Sequence, residues 1–160
     1  MPKRQVFYSF HFDTDVMRVQ QIRNIGAIED NKPVSANDWE KIRRKGDSSI
    51  KKWIDENMSH RSCVVVLVGE QTSGRPWVQY EIQKAWEDGK GLLGIYIHSI
   101  KCPRNGKSRK GSNPFDQFIF KDGSKLSSIV KCYDPDPSEA YNDIKNNIEK
   151  WVENAIAQRK

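Results

Sequence analysis

Two stretches of the chain, CVVVLVG (63–69) and LLGIYIH (92–98), are almost unbroken runs of branched and aromatic apolar residues. A strand without polar alternation has no solvent face, so both read as strands of a parallel sheet covered by helices on each side. QVFYSF (5–10) reads as a third strand and SIVKCY (128–133) as a weaker one nearer an edge. Between them the apolar period lengthens. Residues 13–25 predict a helix capped by Asp13 or Thr14, and residues 47–58 a helix with Ile50, Trp53, Ile54 and Met58 on one side. Pro76 to Asp88 predict another, with Pro in the first turn and Gly89 just past the end. The last helix follows DPDPS, with Ser138 as its cap and Tyr141, Ile144, Ile148, Trp151, Val152 and Ala155 as its core stripe. Alternating strands and helices predict an α/β three-layer sandwich with a mainly parallel sheet. No internal repeat or low-complexity linker divides residues 1–160, which read as a single domain. The Gly-, Pro- and Lys-rich segment 99–120 is longer than an ordinary connection, as functional loops are.

One residue interrupts this pattern. On the 76–88 helix, Val78, Ile82, Ala85 and Trp86 form the core-facing stripe at about 100° per residue. Glu81 falls at the stripe's edge, with Trp77 one turn earlier on the same side. Ligands of open α/β sheets bind beyond the carboxyl ends of the strands. That rule gathers Ser9, Phe10, His11 and Phe12 after the first strand with Gly69 to Arg75 and the Glu81 helix after the second. His98 and the NPFD loop (113–116) follow the third.

Charge changes the picture only a little. A formal charge of +6 is concentrated in KIRRKG (41–46) and KCPRNGKSRKG (101–111). Neither segment interleaves aromatic residues as a stacking platform for bases does, so no nucleic-acid partner is expected. Solvated loops, or a basic rim that attracts an anionic nucleotide, explain them better. MPKRQVFYSF does not read as a secretory signal, and no transmembrane span is expected. Cys63, Cys102 and Cys132 form no pairing framework, which fits a reducing cytoplasm. His60 and His98 read as structural or exposed, Trp39 and Trp53 as packing residues, and Cys63 as inert strand packing.

Several chemistries are excluded by what the strand ends lack. There is no GxGxxG after the first strand, no GxxxxGK[ST] and no GxSxG, and the scattered histidines give no metal pattern. A phosphate-accepting Asp is missing from the end of the central strand, VLVGEQ, and a glycine from SFHFDTD. A single carboxylate flanked by aromatics and a basic rim remains. It suits cleavage at a ribose anomeric carbon, where a carboxylate stabilises an oxocarbenium-like transition state. Phe10 and Trp77 could stack on a nicotinamide or adenine ring and Arg75 could meet the pyrophosphate. From the residues alone, Glu81 reads more simply as an ordinary helix-edge glutamate.

Three stretches in order, VFYSFHFDTD, SGRPWVQYEI and GSNPFD, resemble the TIR-like family that includes the ThsB proteins of the bacterial Thoeris antiphage system. The resemblance runs from the first strand to the final helix. It implies a flavodoxin-like fold and an enzyme that uses NAD, releases nicotinamide and converts the remainder to a cyclic ADP-ribose isomer that activates a partner effector. It implies that Glu81 is the catalytic glutamate and that Trp77 is the tryptophan before it. Ser9, Phe10 and His11 then line the nucleotide pocket, and Asn113 and Asp116 shape the pocket or its loop. No metal, and no cofactor beyond NAD as substrate, is expected, and self-association is expected to complete the site. The family's self-association loop falls around residues 26–46, a stretch that aligns less readily with the family than the three motifs do. Two other functions stay open. One is a non-catalytic interaction module; the other is a different N-glycoside enzyme, such as a deoxyribosyltransferase.

Overall fold

The computed structural model describes residues 4–26, 42, 44–103 and 106–159. Trp39 and most of the 26–46 stretch lie outside the described residues. The elements are β1 (Val6–Ser9), α1 (Phe12–Arg23), α2 (Asp47–Met58), β2 (Cys63–Val68), α3 (Pro76–Glu87), β3 (Gly91–Tyr96), β4 (Cys132–Tyr133) and α4 (Ala140–Gln158). Two short 3-10 turns, Pro114–Gln117 and Leu126–Ser128, lie between β3 and β4.

Among the described residues four strands form one sheet in the order β1-β2-β3-β4, every neighbouring pair parallel. All six residues of β2 and all six of β3 are buried, as their unbroken apolar runs require. Side chains alternate between the faces. Val6, Tyr8, Cys63, Val65, Leu67, Leu93 and Ile95 pack with Val19 and Ile22 of α1 and with Ile144, Ile148 and Val152 of α4. Phe7, Val64, Val66, Val68, Leu92 and Tyr96 face the other way, against Ile50, Ile54 and Met58 of α2, Val78, Ile82 and Ala85 of α3, and Phe115 and Leu126. The result is the expected α/β three-layer, flavodoxin-like sandwich.

The register sets Ser9, Val66, Gly94 and Cys132 in one row across the sheet. At Gly94 a Cβ would meet Cys132 Sγ at 2.7 Å and the Phe115 ring at 3.0 Å. The missing side chain is the socket into which Phe115, fully buried, is plugged.

Local details depart from the sequence expectations at helix ends. α1 begins at Phe12 with His11 in the cap position, so Asp13 and Thr14 fall inside the first turn. α4 begins two residues after Ser138, with Glu139 in the cap position. The Ser138 hydroxyl is instead bonded to Asp136 at 2.8 Å, and Asp136 N–H donates to Asp143 at 2.9 Å, so the DPDPS turn closes on itself. Tyr141, expected on the core stripe, is 38% exposed. Trp151 packs as expected, its ring stacked on Tyr133 at 4.3 Å. Among the described residues no helix is long and apolar enough to cross a membrane.

Candidate functional site

After β1 the chain enters α1 on one face of the sheet; after β2, its neighbour, it enters α3 on the other. Two adjacent strands whose following helices diverge leave a crevice at their carboxyl ends, the place where such sheets bind ligands. Glu81 comes to this crevice from the second turn of α3. Val78, Glu81, Ile82 and Ala85 are the helix's buried residues. Glu81 is therefore only 6% exposed, not a surface residue at the stripe's edge.

Its partner is Ser9, the last residue of β1 and itself fully buried. The Ser9 hydroxyl donates to Glu81 Oε1 at 2.9 Å. Alternation explains the meeting, because Ser9 shares the strand parity of Phe7, which packs on the α2 and α3 side. Burial pushes the Glu81 carboxyl up to about 8, and the Ser9 hydrogen bond pulls only weakly the other way. A carboxyl group held neutral near pH 7 by burial is poised to ionise or to move a proton when a charged ligand arrives.

The remaining predicted site residues are distributed differently. Phe10 packs against the α1 and α4 layer and Trp77 against the α2 and α3 layer, so the two do not form one stacking platform. Trp77 meets Tyr80 edge-on at 5.8 Å. His11 is half-buried, and its carbonyl accepts the Asp15 N–H at 3.1 Å. Arg75 stands at the start of α3 with its guanidinium held by the Gln71 side chain at 2.7 Å. Asn113 accepts the Phe115 N–H at 2.9 Å and so caps the 114–117 turn, while Asp116 accepts the Ser127 hydroxyl. Replacing Asn113 with Ala is expected to cost about 1 kcal/mol by chemical denaturation, the scale of a lost cap, without changing KM for a nucleotide.

The residues that sequence reasoning missed form a buried polar knot behind this crevice. Asp15 is 2% exposed and Arg18 is 4% exposed. The Arg18 guanidinium stands 3.4 Å from the Asp15 carboxylate and donates to the Ile100 and Gly106 carbonyls at 2.9 Å each. Fully buried Thr72 accepts the Gly69 N–H at 2.8 Å and donates to Asp15 at 3.5 Å. A Cβ at Gly69 would sit 2.2 Å from Asp15 Oδ2, so only glycine lets the carboxylate close on the end of β2. The signal was present: Asp15, Arg18, Val19 and Ile22 follow the i, i+3, i+4, i+7 spacing of one helix face. Two charges on an apolar stripe announce a buried pair. His98 is half-buried with its ring edge-on to Tyr96 at 6.0 Å, and His60 is exposed. Burial pushes the Cys63 thiol up to about 12, which keeps it unreactive. Among the described residues no group of three or more His, Cys, Asp or Glu is placed to hold a metal ion.

The family described as "Thoeris protein ThsB, TIR-like domain" matches residues 7–101, the span that contains Ser9, Asp15, Arg18, Thr72 and Glu81. The chain belongs to the ThsB TIR-like family. A Bacillus cereus (strain MSX-D12) protein named "Putative cyclic ADP-D-ribose synthase ThsB1" is 34% identical over 131 residues. That alignment covers 77% of this chain and 68% of the relative. In this ThsB-family chain, the buried Ser9–Glu81 pair lies at the carboxyl end of β1.

Proposed function

We propose that this chain cleaves NAD at the nicotinamide–ribose bond and cyclises the remainder to a cyclic ADP-ribose isomer. The observation that carries the reading is the buried Glu81 carboxyl, hydrogen-bonded to Ser9, at the carboxyl edge of a ThsB-family sheet. The relative's name, a cyclic ADP-D-ribose synthase, points to the same substrate class. In this reading the C1′–N bond breaks and its electron pair leaves with neutral nicotinamide. The ribose carries the positive charge in an oxocarbenium-like state, which the Glu81 carboxylate faces and stabilises. A hydroxyl of the same molecule then attacks C1′ and loses its proton, and no water is consumed. Ser9 orients the carboxylate and Trp77 walls the pocket one turn before it. Asn113 and Asp116 shape the loop at its flank, and neither reaches the reacting atoms.

Purified protein incubated with NAD should release nicotinamide and yield a nucleotide lighter than ADP-ribose by one water, both read by mass spectrometry. Assays at high protein concentration, and with extract of phage-infected cells, cover a need for self-association or for a trigger. Intact NAD under all of these conditions overturns the reading. The cyclic product then serves as the signal to an effector, and neither a membrane nor a nucleic acid enters the scheme.

A further inference from the structure

The basic loop after β3 has no role in the chemistry above, yet it is built onto the same edge of the sheet. Residues 106–111 run as a strap across the carboxyl ends of β2 and β3. Ser108 N–H donates to the His98 carbonyl at 2.9 Å, and Arg109 N–H donates to the Glu70 carboxylate at 3.2 Å. Gly111 lies so close that a Cβ there would stand 2.1 Å from the Gly69 carbonyl oxygen. The strap's first residue, Gly106, is held from below by Arg18, whose guanidinium also reaches Ile100 and Asp15. One buried fork thus ties α1, the segment after β3 and the strap together, next to the 69–75 turn that launches the Glu81 helix.

The strap's cations are not equivalent. The Lys107 amine donates to the Pro137 carbonyl at 2.6 Å, and Lys110 pairs with Asp134 at 2.9 Å over the Tyr96 ring. The Arg109 guanidinium has no hydrogen-bond or ion-pair partner among the described residues, whereas that of Arg75 is occupied by Gln71. The strap's field is felt nearby. Burial lowers the His98 imidazole's affinity for a proton, and Lys110, Arg18 and Lys107 push the same way against the single opposing charge of Asp134. The Nδ1 of that ring is buried and has no hydrogen-bond partner among the described residues.

We propose that the strap is the phosphate-side wall of the nucleotide entrance, with Arg109 presented to the pyrophosphate and Arg18 the positioning residue that holds the strap in place. The proposal rests on the NAD reading above. A planar guanidinium suits two adjacent phosphate oxygens, and a charge at the rim acts on capture more than on chemistry.

Tryptic cleavage after Lys107, Arg109 and Lys110, followed by mass spectrometry with and without NAD, tests the placement independently of turnover. NAD should slow cleavage of the wild-type strap about fivefold or more, the loss of open strap expected near saturation. Arg109→Gln should raise KM about tenfold with kcat within about twofold, and should flatten the dependence of KM on salt. Gly111→Ala, which pushes the strap off Gly69 without touching the buried pair, should raise both KM and the cleavage rate in the absence of NAD. Arg18→Lys keeps the charge but not the fork, and should fall between wild type and Gly111→Ala in both readouts. Protection by NAD without nicotinamide release leaves the wall in place and removes the proposed chemistry. Nicotinamide release without protection, or a fall in kcat at unchanged KM in Arg109→Gln, overturns the wall and leaves the chemistry standing.

Discussion

Glu81→Gln is expected to reduce nicotinamide release by about 10³-fold or more, the scale for deleting a charge-stabilising group from a water-excluded site. The same substitution should leave the fold intact and, in alkaline buffer, make it more stable. Glutamine keeps the volume of the side chain and an oxygen that can accept from Ser9, but it has no proton to lose. In the wild type, burial raises the Glu81 carboxyl from an ordinary 4.5 to about 8. Between those values the folded chain keeps a proton that the unfolded chain has released, so stability falls as pH rises. The contribution is fully present below about pH 4.5 and fully lost above about pH 8. The melting temperature of Glu81→Gln should match wild type at about pH 5 and exceed it by several degrees at about pH 9, a few kcal/mol at the Glu81 site. Activity should move the opposite way. If the ionised carboxylate faces the oxocarbenium, kcat/KM of wild type rises with pH toward a plateau above about 8, because that ratio reports the free enzyme. Thermal melts and a pH–rate profile check the two halves separately. A variant that is stabilised but still active would show that the buried carboxyl is packing and not chemistry.

Phe115→Ala is expected to be the most damaging of the substitutions considered for stability. Phe115 is fully buried and fills the socket over Gly94, at the centre of the sheet row that runs from Ser9 to Cys132. Removing its ring leaves a cavity that neither Gly94 nor the β4 edge can collapse into, at a cost of about 3–5 kcal/mol. For a chain of this size that is a fall of roughly 10 °C in melting temperature, readable by calorimetry. The result would assign the NPFD loop a packing role. Asn113 caps the turn, Phe115 anchors it, and Asp116 ties it to Ser127. Residual activity per folded molecule should stay close to wild type.

Helix ends and side-chain burial were the least legible features. Asp13, Thr14 and Ser138 all have the chemistry of caps, yet two helices begin elsewhere. A cap is decided by where the preceding strand or turn delivers the chain, and local residue preference contributes only about 1 kcal/mol. The knot of Asp15, Arg18 and Thr72 was written in the spacing of α1, but its meaning depended on carbonyls at Ile100 and Gly106 more than eighty residues away.

What the sequence determined by itself was the set of elements and the layers they form. The unbroken apolar runs of β2 and β3 admit no solvent face, and the apolar stripes of α2, α3 and α4 have nowhere to go but onto that sheet. Three short motifs also placed the chain in its family. Only the tertiary structure decided the state of the site. The angle of Glu81 on α3 sets it near the core, but its partner, its burial and its raised proton affinity come from Ser9, a residue 72 positions earlier in the chain. Phe10, which follows β1, packs into the α1 and α4 layer, whereas Trp77 rides on α3 in the opposite layer, although both lie close to the site in sequence terms. Electrostatic character belongs to the three-dimensional surroundings of a group, and periodicity along the chain carries no record of them.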